Sequence, residues 1–210
     1  MNDSPEEPHL SADDAFNRLV EGNERFVRGE ALRSAFRRET LTELAKAQRP
    51  YATILGCSDS RVPPEWIFDA GLGELFVIRV AGNILSPEIA GSLQYAGSYL
   101  QTSLFVVLGH EGCGAVGAAL ATALGGTQFR SRVQLLLESI TPGLPDLDFH
   151  LSAQEKLSRA VEANVRWTVR RILESPEGQA RIAEGRMKVL GAIYEIETGR
   201  VRFLDPEEQS

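Results

Sequence analysis

The sequence predicts an α/β fold with a mainly parallel central sheet of about four strands plus an antiparallel edge strand, flanked by helices. Three observations predict it. Short apolar runs recur at Tyr51 to Gly56, Glu74 to Val80, Leu104 to Leu108 and Val189 to Ile196, each of strand length. Segments with apolar residues at helical spacing separate them, and that alternation implies parallel strands joined by right-handed crossovers. After the last run, Thr198-Gly199 signals a turn, and Val201-Arg202-Phe203-Leu204 reads as an antiparallel edge strand.

Taken in order, residues 1 to about 10 read as a flexible tail. Residues 11–210 read as a single domain with an N-terminal helical arm, with no internal repeat. Ser11-Ala12-Asp13-Asp14 resembles a capping box, and Phe16, Leu19, Val20, Phe26 and Val27 follow at helical spacing up to Gly29. A second helix is expected from Thr40 to Ala47. The apolar faces of this arm need a partner, either the same subunit's core or a second subunit. Pro63 and Pro64 suit the first turn of a short helix after the first strand, and Ser86-Pro87-Glu88 supplies an N-cap, an N1 proline and an early acid for another. A small-residue helix is expected from Ala115 to Leu124, and another helix from Val133 to Ile140. Thr141 to Asp146 reads as a loop. Ser152-Ala153-Gln154-Glu155 is a capping box that opens a long helix with Leu157, Val161, Val165, Val169 and Ile172 inward. Ser175-Pro176-Glu177 starts a last short helix that Gly185 ends.

Composition narrows the function. The 210 residues carry 22 Lys and Arg against 29 Asp and Glu, a net charge of 22 − 29 = −7. That balance argues against nucleic acid as the main partner. No run approaches the length of a membrane span. The stretch Met1 to Pro8 is acidic and lacks an apolar core, unlike a signal or transit peptide, so a cytoplasmic location is expected. Two cysteines are too few for a disulfide scaffold and fit reduced thiols or metal ligands.

Both cysteines sit at strand ends. Gly56-Cys57-Ser58-Asp59-Ser60-Arg61 follows the first strand, and His110-Glu111-Gly112-Cys113 follows the third. In an open α/β sheet the carboxyl ends of the strands are where ligands bind. Two thiols and an imidazole suit tetrahedral zinc, with water or Asp59 as candidates for the fourth ligand. In an extended segment residues two apart point the same way, so Cys57, Asp59 and Arg61 share a side. Arg61 can then grip Asp59 in a charge-assisted pair and keep its carboxylate ionised and aimed. Gly112-Cys113-Gly114-Ala115-Val116-Gly117 also satisfies the dinucleotide pattern G-x-G-x-x-G. The acid that this pattern needs at a strand end is misplaced, because Glu138 lies inside a helical segment. His9 and His150 read as surface residues.

These motifs resemble the β-class carbonic anhydrases. The resemblance rests on Cys57-Ser58-Asp59-Ser60-Arg61, on His110-x-x-Cys113 after a gap of 110 − 57 = 53 residues, and on Gly73-Glu74-Leu75-Phe76-Val77-x-Arg79 between them. It covers residues 12 to 203 and is most specific from Gln48 to Gly117. It implies a zinc-dependent lyase that reversibly hydrates carbon dioxide to bicarbonate and a proton by attack of zinc-bound hydroxide. One zinc per chain is implied, on Cys57, His110 and Cys113. Asp59 with Arg61 is the catalytic dyad, and Asp59 is a conditional fourth ligand in a closed state. Gln48 matches a substrate-contacting glutamine of plant-type members. Phe76, Ala81 and Tyr95 match pocket-lining positions, and the backbone of Gly114 matches a substrate-facing amide. Ala81 is smaller than the valine often found there. Allosteric bacterial members carry a tryptophan three residues before the first zinc cysteine; here Ile54 stands there, although Arg79 matches the arginine of that noncatalytic bicarbonate site. A homodimer or homotetramer is implied. Two alternatives share the motifs: a zinc hydrolase of carbonyl sulfide or carbon disulfide, and a non-catalytic zinc-stabilised homologue. The Asp59–Arg61 pair speaks against the last, since structural zinc is usually closed by four Cys or His ligands.

Overall fold

The computed structural model describes residues 10–32, 41–42, 44–125, 129–130, 132–146 and 150–205. Five strands form one sheet: β1 (Ala52–Gly56), β2 (Leu75–Arg79), β3 (Leu104–His110), β4 (Lys188–Tyr194) and β5 (Val201–Phe203). Their order is β2-β1-β3-β4-β5, with β5 antiparallel to β4 and the other pairs parallel. The chain moves from β1 to β2 on one side and returns to β3 on the other. Such a reversal of direction opens a crevice at the carboxyl ends of the two strands that flank it, here β1 and β3. Every residue of β1 and β3 is buried, so both draw mainly on apolar residues, as the sequence has.

β3 runs two residues beyond the expected Leu104 to Leu108. Gly109 and His110 pair with Ile193 and Tyr194 of β4, so His110 leaves from a paired strand residue and not from a loop. The helices are α1 (Ala12–Arg28), α2 (Pro64–Ile67), α3 (Pro87–Ser98), α4 (Gly114–Ala123), α5 (Arg132–Ile140), α6 (Ala153–Glu174) and α7 (Pro176–Ala183), with 3-10 turns at Ala81–Asn83 and Thr141–Gly143. Ser86 and Ser175 cap α3 and α7, and the capping box Ser152–Glu155 opens α6. At α1 only half a box forms. The Asp14 N–H reaches Ser11 Oγ at 3.1 Å, while the Asp14 carboxylate accepts the Ser11 hydroxyl instead of the cap's backbone N–H.

One sheet face packs Leu55, Ile78, Phe105 and Val107 against Val161, Val165 and Ile172 of α6. Of the inward positions expected on α6, these three are buried and Leu157 and Val169 half-buried. The other face packs Ile54, Val106 and Leu108 against Leu19 of α1. α1 thus packs its buried face on its own subunit's core. Asn23 Nδ2 donates to the carbonyls of Ile67 (3.1 Å) and Gly199 (2.9 Å), and its Oδ1 accepts the Val201 N–H at 2.9 Å. These bonds tie the arm to α2 and to the start of β5.

The expected tail falls on residues 1–9, outside the described residues. So do Thr40 and Glu43 of the expected second helix, of which Leu41, Thr42 and Leu44 are helical. Between 125 and 150, α5 joins the core through Leu137 and Ile140, while 126–128, 131 and 147–149 lie outside the described residues.

Candidate metal centre

β1 and β3 are adjacent and in register, with Gly56 opposite Leu108, so their carboxyl ends release Cys57 and His110 side by side. Cys113 follows a tight turn through Gly112, whose φ of 64° is left-handed and suits glycine. It then caps the N-terminus of α4. The ligand atoms of Cys57, His110 and Cys113 all lie within 4.8 Å of one another, and all three residues are buried. The two sulfurs are 4.0 Å apart.

The donor set fits a zinc ion. His110 Nδ1 lies 2.9 Å from the Glu111 carbonyl, which only accepts, so Nδ1 carries the proton and Nε2 presents its lone pair. Nε2 is buried and has no hydrogen-bond partner. A buried imidazole nitrogen aimed at two thiols with nothing to bond is costly unless a cation takes it. Soft sulfur with imidazole is the donor combination zinc prefers. The thiols already share a proton unequally. The Cys113 thiol donates to Cys57 and pulls it down to about 4, against burial and with help from His110 and the N–H groups of Asp59 and Gly82. Cys113 is pushed far up by that same bond to Cys57 and by burial, while the N–H groups of Val116 and Ala115 pull the other way.

Asp59 and Arg61 form a two-pronged pair, Nε to Oδ1 at 3.0 Å and Nη2 to Oδ2 at 2.8 Å. The Arg61 N–H adds a third bond to Oδ1 at 3.0 Å. The Arg61 side chain, its N–H and His110 together hold the Asp59 carboxyl well below the usual carboxylate range. Asp59 Oδ2 lies 3.9 Å from His110 Nε2, so the carboxylate borders the three donors while Arg61 grips it.

Sequence reading did not find what holds this loop. Arg79, at the end of β2, donates from Nε to the Cys57 carbonyl (2.9 Å) and from Nη2 to the Asp59 carbonyl (2.5 Å). The Gly82 N–H points at Cys57 Sγ from 3.4 Å, and Asn164 of α6 donates to the Gly82 carbonyl at 2.9 Å. The only local signal was the glycine at 82, whose φ is 69°. The residues that resemblance put around the pocket are less concentrated. Ala81 is half-buried beside Gly82, and Gly114 is exposed at the first turn of α4. Phe76 pairs with Thr53, four residues back along the strand from Cys57, and its ring sits 6.1 Å from that of Tyr95 on α3. Gln48 is exposed in the stretch before β1, Ile54 is buried, and His150 is exposed. His9 lies outside the described residues.

A family model described as carbonic anhydrase matches residues 52–201. Carbonic anhydrase 2 of Mycobacterium tuberculosis is 38% identical over 202 residues, covering 94% of this chain and 95% of that protein. The carbonic anhydrase of Mycolicibacterium smegmatis is 37% identical over 193 residues, covering 90% and 91%. Among solved structures, a tetrameric β-carbonic anhydrase of Sordaria macrospora superposes with a TM-score of 0.74 at 25% identity, covering 91% of this chain and 97% of that one. The Coccomyxa β-carbonic anhydrase in complex with acetazolamide gives 0.71 at 29% identity, covering 89% and 84%. Likeness of this extent in both sequence and fold has one reading: the chain belongs to the β-carbonic anhydrase family, whose members are zinc lyases.

Proposed function

We infer that this chain reversibly hydrates carbon dioxide to bicarbonate and a proton, with one zinc per chain held by Cys57, His110 and Cys113. The observation that carries the reading is the Asp59–Arg61 pair at the edge of the three donors, with Asp59 Oδ2 3.9 Å from His110 Nε2. A purely structural zinc needs no such pair.

When bound, zinc supplies Lewis acidity that brings the pKa of a water from 15.7 down to about 7. The chain's own groups do the rest. The Glu111 carbonyl holds His110 in the tautomer that offers Nε2. Asp59, kept ionised by Arg61, only accepts hydrogen bonds. It therefore orients a nucleophile by its proton and leaves the oxygen lone pair for carbon. The same carboxylate disfavours a bicarbonate oxygen that carries no proton, which helps the product leave. The Gly114 N–H, exposed at the first turn of α4, is the donor this reading assigns to the negative charge that develops on the substrate oxygens. With the pair intact, the site is the open form, and Asp59 is withheld from the metal position. Release of Asp59 by Arg61 is the route to a closed form.

The test is carbon dioxide hydration by purified protein of known zinc content, beside Asp59→Ala. Activity with about one zinc per chain, largely lost in the variant with zinc retained, supports the reading. Zinc without hydration at any pH, but with hydrolysis of carbonyl sulfide or carbon disulfide, would replace it with the sulfur-analogue reading. Protein never exposed to chelator or oxidant that holds no zinc would overturn it. The tetrameric Sordaria macrospora relative supports a homo-oligomer, which light scattering in solution would measure as a dimer or tetramer mass.

A further inference from the structure

Asn164 is out of place for a core residue. It is 1% exposed, in the middle of α6, between Val161 and Val165 on the face that packs on the sheet. Asparagine is a weak helix former, and a buried amide is costly unless both its ends are bonded. Here only one end is. Nδ2 donates to the Gly82 carbonyl at 2.9 Å, while Oδ1 has no hydrogen-bond partner. A leucine would fill the space without that cost. Where a sequence breaks a local rule without gain in stability, a functional constraint is the usual reason.

The bond that Asn164 makes leads to the metal centre. Gly82 is held at both ends: its carbonyl by Asn164 and its N–H against Cys57 Sγ at 3.4 Å. The two groups belong to successive peptide planes, joined only through the φ of 69° and ψ of 18° at Gly82. Holding the second plane therefore limits the directions open to the N–H in the first, with only those two torsions between them. Asn83 continues the left-handed turn with φ of 43°, and a Cβ on Gly82 would lie 2.7 Å from Ile140 Cδ1. Ile140 and Ala115 crowd the turn, and Asn164 is its polar anchor.

We propose that Asn164 is a positioning residue for the metal centre, acting through Gly82 to aim an N–H at Cys57 Sγ and so weaken that sulfur's donation to the ion. The inference rests on the zinc reading of Cys57, His110 and Cys113. Hydrogen bonds to a ligating sulfur tune the metal it binds. Two thiolates cancel the ion's double charge, so drawing electron density from one of them restores acidity where the reaction needs it.

Two measurements test this, one on the unmodified protein. In protein loaded with cadmium-113, the hydrogen bond predicts a scalar coupling between the metal and the Gly82 amide proton, transmitted through Cys57 Sγ. In cobalt-loaded protein, Asn164→Leu is expected to move the sulfur-to-metal charge-transfer band to lower energy with metal content and tetrahedral ligand-field bands unchanged. Ile172→Ala, a buried change on the same helix away from the turn, should leave the band in place. Metal uptake without the Gly82 coupling in the unmodified protein overturns the relay alone, whether or not the variant folds. A band unmoved in loaded Asn164→Leu, or moved equally by Ile172→Ala, also overturns it. Failure of the unmodified protein to take up either metal overturns the metal centre and the relay with it.

Discussion

Adding one methyl group at Gly109 tests how tightly the core holds the metal centre. Gly109 is the residue before His110 on β3. A Cβ there would lie 2.5 Å from Val165 Cγ2, 3.3 Å from Ile193 Cδ1 and 3.6 Å from Val161 Cγ1. Carbon pairs rest about 3.5–4.0 Å apart, so β3 and α6 must separate by about 1 Å or Val165 must leave its rotamer. Overpacking of this kind costs about 1–3 kcal/mol. A displacement of about 1 Å also exceeds the roughly 0.5 Å within which a preorganised site works. Gly109→Ala is therefore expected to lose about 2 kcal/mol of stability, and zinc occupancy and carbon dioxide hydration should fall together. Val165→Ala alone removes two buried carbons, about 1.6 kcal/mol of transfer free energy, and the cavity term brings the loss to about 2 kcal/mol. In the double variant the new methyl occupies part of the vacated space. Its destabilisation should fall short of the sum of the two by about 1–2 kcal/mol, and zinc occupancy should recover. Urea unfolding of the four proteins with metal analysis on each decides it. Additivity within about 0.5 kcal/mol would refute the packing argument.

Further expectations concern the polar groups. Asp59→Asn and Arg61→Ala should each lower carbon dioxide hydration by about 10²-fold or more with zinc content unchanged, measured by stopped-flow beside metal analysis; loss of zinc instead would make the pair structural. The Asp59 carboxyl is depressed in the folded state by Arg61. Its contribution to stability is therefore fully present above the unfolded value of about 3.9 and is lost as pH falls from there through the folded value. Urea unfolding of Asp59→Asn and of the unmodified protein, both zinc-loaded, should differ by a constant amount from pH 5 to 8 and converge only below about pH 4; a difference that changes between pH 5 and 8 would contradict the depressed pKa. In metal-free protein the hydrogen bond between the two thiols pulls Cys57 down and pushes Cys113 up. Iodoacetamide should therefore alkylate Cys57 first, and zinc should block the reaction. Zinc uptake at pH 7 should release about one proton from the two thiols, read by calorimetry in buffers of different ionisation enthalpy, and release of two would show both thiols protonated beforehand.

The fold was legible where local chemistry decides it. β1 and β3 are buried on both faces, so their apolar runs had no alternative, and Ser86, Ser152 and Gly29 mark helix ends through bonds made within a few residues. The donor set was legible because cysteine and histidine are rare here and fall at strand ends. What escaped was whatever depends on distant partners. Asn23 reaches Gly199 and Val201, Arg79 reaches back to Cys57, and Asn164 reaches Gly82. An asparagine in a helical pattern gives no sign that its partner lies 82 residues away. The apolar run alone ends β3 at Leu108, whereas the pairing of Gly109 with Ile193 carries the strand on to His110.

Cys57 and Cys113 stand 56 residues apart in the chain, with their sulfurs 4.0 Å apart. An ion gripped by both closes that length of chain into a ring. By the chain-entropy relation for cross-links, closing a ring of this size removes about 4 kcal/mol worth of freedom from the unfolded ensemble. That is a large share of the ~5–15 kcal/mol by which a folded domain typically exceeds its unfolded state. The ring contains β2 and β3 and opens at the residue after β1, so the ion would rivet the sheet across its midline. Chelation should then unfasten the centre of this sheet while the β4–β5 edge, outside the ring, keeps its pairing longest.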